Sequence, residues 1–221
     1  MLSAVIFDFD GIIVDSEPLH FRAFNEVLEP LGKAVTWETY CDTYIGYDDR
    51  GAFHEIYRAG GERIHGSELK KLIARKAEIL QRFIQNGEAL PLPGAVELIR
   101  SIPARLPVAL CSGALRSDID PILEKLGLAE AFDVVVTAED TKVSKPDPAP
   151  YRLALKKLGI DEPSSALAIE DTPAGILSAK GAGLKVLAVT NSYDRDFLMA
   201  ADAIIDTLEK VSRLTLEGLV M

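Results

Sequence analysis

The chain has 221 residues, 48% apolar and 26% charged, which is enough for one large domain or for a core domain carrying a smaller one and excludes a disordered chain. Its formal charge of −10 argues against nucleic acid as a partner, since such binding draws on a basic surface that replaces phosphate counterions. No apolar run approaches the ~20 residues needed to cross a bilayer, so no membrane partner is expected, and two cysteines, Cys41 and Cys111, are too few for a disulfide framework or a thiolate zinc site.

The N-terminal residues lack a basic flank and a small-residue cleavage site, so no secretory leader is read and a cytoplasmic protein is expected. Ala4 to Phe9 (AVIFDF) is a short apolar run that predicts a buried strand, with Asp8 and Asp10 at its C-terminal end. From Glu17 to about Asn86 no convincing strand follows. Amphipathic helical patterns fill this stretch, among them Leu69 to Ile84 (LKKLIARKAEILQRFI), and predict an all-helical insert of roughly 70 residues. Leu90 to Gly94 (LPLPG) is turn-rich and reads as a hinge or linker.

Beyond it, strand-like runs at Pro107 to Cys111, Val134 to Thr137, Ala166 to Ile169, Val186 to Val189 and Ala203 to Ile205 alternate with helical patterns at Ala95 to Ser101, Asp118 to Leu126, Pro150 to Leu158 and Ala174 to Gly181. Such alternation predicts an α/β fold, a Rossmann-like parallel sheet with helices on both faces. The predicted division is a core of residues 1–16 and 89–221 with an inserted helical domain of residues 17–88. Gly181-Ala182-Gly183 closes a helix instead of opening one and reads as a C-terminal cap. Trp37 and Phe53 read as core of the helical insert.

Ligands of open parallel sheets bind beyond the carboxyl ends of the strands, so the residues just after each run are candidates for one shared site. They are Asp8, Asp10 and Gly11 after the first run, Ser112 and Gly113 after the second, and Glu170 with Asp171 after the fourth; Lys145 lies in the connection after the third. Aspartate oxygens suit Mg²⁺, whereas zinc would call for histidine or cysteine. A carboxylate attacks a dianionic phosphate only where a divalent cation and an ammonium group offset the repulsion, and Lys145 supplies such a group. Ser112 and the backbone N–H groups near Gly113 suit phosphoryl oxygens.

Every one of these residues also has an ordinary structural reading. Asp10-Gly11 suits a hairpin turn and Ser112-Gly113 a plain loop; Lys145 suits a solvated loop, and Glu170-Asp171 the start of a helix. What separates the readings is order. The motifs DFDGIIVDSE (Asp8 to Glu17), CSG, SKPDP and IEDTPAGILSAKGAG together resemble the haloacid dehalogenase superfamily of phosphatases and phosphomutases over essentially the whole chain.

That resemblance implies that Asp8 forms an aspartyl-phosphate, that Asp10 acts as acid and then base, and that Asp171 binds Mg²⁺ with Asp8 and the backbone carbonyl of Asp10, supported by Glu170. It implies that Gly11, Ser112, Gly113 and Lys145 hold the phosphoryl group, and that the helical insert is a cap. Within the insert, LHFRAF (Leu19 to Phe24), Gly46, Arg50 and Lys76 are similar to the beta-phosphoglucomutase branch and related sugar-phosphate phosphatases. His20, Arg50 and Lys76 would then meet the substrate; each suits a solvated or packed helical face equally well.

The expected activity is Mg²⁺-dependent hydrolysis of a small phosphorylated metabolite, a sugar phosphate or similar. The alternative is a phosphomutase that hands the phosphoryl group to a second hydroxyl, and a third reading is a binding protein that keeps the fold without catalysis. A monomer or small homo-oligomer is expected.

Overall fold

The computed structural model describes residues 2–44, 47 and 49–219. The chain divides into two compact units, Met1–Asp15 with Leu90–Met221, and Ser16–Ala89. The first unit opens with β1 (Ala4–Phe7) and a tight turn into the short β2 (Val14–Asp15).

The second unit is helical among its described residues: α1 (Glu17–Leu28), a brief α2 (Trp37–Thr39), α3 (Asp49–Ala59) and α4 (Gly66–Gln85). Helix α1 packs on α4, and α3 on α4. Phe24 and Phe53 meet edge to face at 5.0 Å, and Asn25 brackets the loop after α1 with two hydrogen bonds to Val35. Trp37 departs from its expected place in the core. It is 44% exposed, stacked on Tyr40 at a ring separation of 5.8 Å.

Back in the first unit, β3 (Leu90–Pro91) pairs antiparallel with β2. Leu90-Pro91, at the start of the stretch read as a hinge or linker, forms one strand of a two-stranded ribbon, and the turn at Asp10-Gly11 leads into the other. Two residues per strand leave no periodicity to read, and Pro91 argues against a strand in any pattern search.

The rest follows the expected order: α5 (Ala95–Ser101), β4 (Val108–Cys111), α6 (Arg116–Leu126), β5 (Val134–Val136), α7 (Ala149–Leu158), β6 (Ala166–Glu170), α8 (Pro173–Gly181), β7 (Lys185–Val189) and β8 (Ala203–Ile205), with a short α9 (Arg213–Gly218) beyond the predicted elements. Six strands form one parallel sheet in the order β5-β4-β1-β6-β7-β8. The architecture is the Rossmann-like α/β fold. Among the described residues no helix is long and apolar enough to cross a membrane.

One sheet face carries small residues at alternate positions, Ala4, Ala109, Ala166, Ala168 and Ala188, and against it pack Tyr151, Ala154, Ile176 and Ala179 of α7 and α8. Alanines let the helices approach closely enough for Tyr151, fully buried, to reach Glu170 at the carboxyl end of β6. Chain order reverses around β1, whose neighbours are β4 and β6, so the carboxyl ends of those three strands meet at the switch point of the sheet.

Candidate active site

Asp8 continues β1 for one more residue, its N–H donating to the Ile169 carbonyl at 3.0 Å, and its carboxylate is nearly buried. Lys145 reaches it from the loop between β5 and α7. An ammonium group has three donors and no acceptor, and all three are used: 2.6 Å to Asp8 Oδ1, 2.6 Å to Glu170 Oε1 and 2.9 Å to the Cys111 carbonyl. Lys145 thereby ties together the ends of β1, β4 and β6.

Glu170 is wholly buried and saturated. Its Oε1 accepts from Lys145 and from the Tyr151 hydroxyl at 2.7 Å, and its Oε2 from Thr172 Oγ1 at 3.2 Å and the Asp171 N–H at 3.3 Å. Four donors fill the lone-pair directions of one carboxylate, so Glu170 here anchors Lys145.

Asp171 is equally buried but is engaged on one side only. Its Oδ2 accepts from Ser192 Oγ, while Oδ1 has no hydrogen-bond partner, the single such buried side-chain atom among the described residues. Ligand oxygens of Asp8, Glu170 and Asp171 lie within 4.8 Å of one another. One ammonium faces three carboxylates, so the cluster carries excess negative charge in a dry place.

The proton affinities follow from that imbalance. Burial pushes Asp8 from 3.8 to about 7 against the pull of Lys145, and Glu170 and Asp10 push the same way. Asp171 is raised well above the carboxylate range by burial, then by Asp8 and Glu170. Burial pulls the Lys145 pKa down, but Asp8 and Glu170 outweigh it and raise it well above its ordinary value, so the ammonium stays charged. An orphaned oxygen in an all-oxygen set short of positive charge fits a hard divalent cation such as Mg²⁺.

Ser112 follows β4 directly, its N–H bonded to the Val136 carbonyl at 2.9 Å and its Oγ accepting from Ala114 N at 2.9 Å. Ser112, Gly113, Thr141, Lys142, Ser144 and Lys145 line a cleft of about 160 Å³. Gly11 takes φ +79, and a Cβ there would stand 1.8 Å from Asp171 Oδ2, so the turn after β1 lies directly on the acidic cluster and only glycine fits. Asp10, half-buried, is bridged to Val14 within this turn.

In the helical unit, Lys76 is 1% exposed and donates to His20 Nδ1 at 2.8 Å and to Asp49 Oδ1 at 2.7 Å, with the Phe24 ring 4.8 Å from its Nζ. Arg50 is exposed in the first turn of α3, and Gly46 lies outside the described residues. The structure thus gathers Asp8, Lys145, Glu170 and Asp171 into one cluster and pairs His20 with Lys76.

Sequence reasoning passed over Tyr151, Thr172, Asn191, Ser192 and Asp49. Asn191 and Ser192 follow β7 and obey the same strand-end rule that found Ser112 and Asp171. Tyr151, inside a helix, carries no such signal.

The fold and this cluster define an α/β protein with a lysine-bridged acidic centre at the switch point of its sheet. The sequence profile of the haloacid dehalogenase-like hydrolases matches residues 5–189, and the chain belongs to that family. Protein CbbY of Rhodobacter capsulatus is 31% identical over 211 residues, 91% of each chain. A phosphorylated carbohydrates phosphatase of Thermotoga maritima is 29% identical over 207 residues, 92% of this chain and 93% of that one. Among solved structures, a variant of CbbY from Rhodobacter sphaeroides in complex with xylulose-(1,5)bisphosphate superposes with a TM-score of 0.85 at 26% identity, covering 98% of this chain and 100% of the other.

Proposed function

We propose that this protein is a Mg²⁺-dependent phosphatase of small phosphorylated carbohydrates or similar metabolites, working through an aspartyl-phosphate on Asp8. The observation that carries the reading is Asp8 held by Lys145 beside the orphaned Oδ1 of Asp171. Support comes from a relative that is a phosphatase of phosphorylated carbohydrates and from another solved with a sugar bisphosphate.

Asp8, Asp171 and the backbone carbonyl of Asp10 would hold Mg²⁺, which when bound neutralises phosphate charge and keeps Asp8 ionised. An Asp8 oxygen attacks phosphorus while the bond to the leaving oxygen breaks, and Asp10 donates a proton to that oxygen. Asp10 then takes a proton from water as the water attacks the aspartyl-phosphate, releasing inorganic phosphate and restoring Asp8. Lys145 holds Asp8 in line and, with Ser112 and the N–H groups near Gly113, offsets charge on the phosphoryl oxygens. The helical unit is the cap in this reading, with His20, Arg50 and Lys76 as its substrate contacts.

The phosphomutase reading draws on the Lys76–His20 hydrogen bond, formed at positions where the sequence resembles that branch. Phosphate release with Mg²⁺ across sugar phosphates, phosphoglycolate, nucleotides and an aryl phosphate tests the proposal. Release is expected for at least one sugar phosphate, with Asp8→Asn slower by on the order of 10³-fold or more. Undiminished activity in Asp8→Asn would sink the mechanism, no release from any substrate would leave the binding-protein reading, and efficient conversion of beta-glucose 1-phosphate to glucose 6-phosphate would favour the mutase.

A further inference from the structure

The loop after β7 contributes two consecutive side chains to the acidic centre. Ser192 Oγ donates to Asp171 Oδ2, and Asn191 Nδ2 donates to the Gly11 carbonyl at 2.7 Å. One loop thus touches both Asp171, the cluster carboxylate just beyond β6, and the turn that follows β1. The strand carrying the loop, β7, is hydrogen-bonded along β6 from Leu167 to Glu170, so the loop inherits a rigid base.

Asp171 is the carboxylate whose orientation the fold leaves least determined by itself. Its side chain lacks any cationic partner within hydrogen-bond distance among the described residues, unlike Asp8 and Glu170, which share Lys145. A buried carboxylate held at neither oxygen would be free to rotate about its terminal bond and offer a cation either oxygen, or both. Two features prevent that. Ser192 occupies Oδ2, and the Gly11 backbone presses so close that the space of a single methyl there would lie 1.8 Å from Oδ2 and 2.9 Å from Ser192 Oγ. Asn191 holds that backbone in place through its carbonyl. What remains available is Oδ1, the atom without a partner.

We infer that Ser192 is a positioning residue for divalent-cation binding: its hydroxyl pins Oδ2 of Asp171 so that Oδ1 alone is presented to the cation, with Asn191 locking the Gly11 turn against the same carboxylate. The inference rests on the proposed Mg²⁺ site. Partners that orient a ligating group in this way are worth about 10- to 100-fold in metal affinity.

The test is a calorimetric Mg²⁺ titration of the substrate-free protein, with circular dichroism and melting temperature confirming the fold of each variant. Ser192→Ala is expected to weaken Mg²⁺ binding by about 10- to 100-fold, Ser192→Thr, which keeps the hydroxyl, to recover most of that affinity, and Asp171→Asn to abolish binding. If Ser192→Ala fails to fold, Ser192→Cys, close in size but only a weak donor, is read in its place with the same expectation. An affinity within about twofold of wild type in the folded variant overturns the role of Ser192 while leaving the metal site standing. Wild-type protein that binds no Mg²⁺ overturns the underlying site instead, so the two failures are distinguishable.

Discussion

Lys76 and His20 show how one hydrogen bond sets a protonation state. An ammonium cannot accept, so His20 Nδ1 must, and the ring proton sits on Nε2. Burial first and the Lys76 charge second lower the His20 pKa from 6.5 to about 3. The imidazole is therefore a neutral Nε2–H donor at ordinary pH, suited to a substrate oxygen but not to proton shuttling near neutrality. Nitrogen NMR of the imidazole should show the Nε2–H tautomer and no titration between pH 5 and 8; a midpoint inside that interval would refute the assignment. The sign for stability follows. The unfolded chain takes this proton at about 6.5 and the folded one only at about 3, so this group's contribution is lost as pH falls across that range.

At the scale of elements, the start of α8 shows why a glycine stands where a helix would favour alanine. Thr172 caps the helix by accepting from Gly175 N at 3.0 Å, and Pro173 fills the first turn. A Cβ on Gly175 would lie 1.9 Å from Glu170 Oε2. Glu170 cannot yield easily, since four donors hold it, so Gly175→Ala must push the helix off the strand end or loosen the anchor of Lys145. The helix-propensity gain of about 1 kcal/mol is outweighed, and a net loss of about 1–3 kcal/mol is expected from urea unfolding midpoints. A variant as stable as wild type would show that α8 has slack at this point.

For the whole molecule, the same excess of buried negative charge predicts linkage between cation and folding. Folded Asp8 keeps its proton up to about 7 whereas the unfolded residue loses it near 3.8, so in metal-free protein this group makes stability fall as pH rises between those values. A cation bound only by the folded state opposes that decline and adds about 2.7 kcal/mol at a hundred times its dissociation constant. Melting temperature measured with and without Mg²⁺ should rise with the ion, more at pH 7 than at pH 5, and the rise should vanish in Asp171→Asn. A melting curve indifferent to Mg²⁺ would count against the site.

Much of this molecule is legible in its sequence. Strands of a parallel sheet are buried on both faces, so they read as unbroken apolar runs, and polar groups at their ends, Asp8, Ser112, Glu170 and Asp171, stand out against them. The ribbon of β2 and β3 was not legible, because two-residue strands have no period. Nor were the separate duties of the acidic residues. Glu170 and Asp171 are neighbours of the same charge at the same strand end. Only the tertiary structure distinguishes them, by bringing Lys145 and Tyr151 to one and Ser192 to the other. Composition and order along the chain determined which groups would meet at the switch point. Which oxygen of each is left open was decided by contacts between segments far apart in sequence, since hydrogen-bond saturation is a property of the packed site and not of any residue alone.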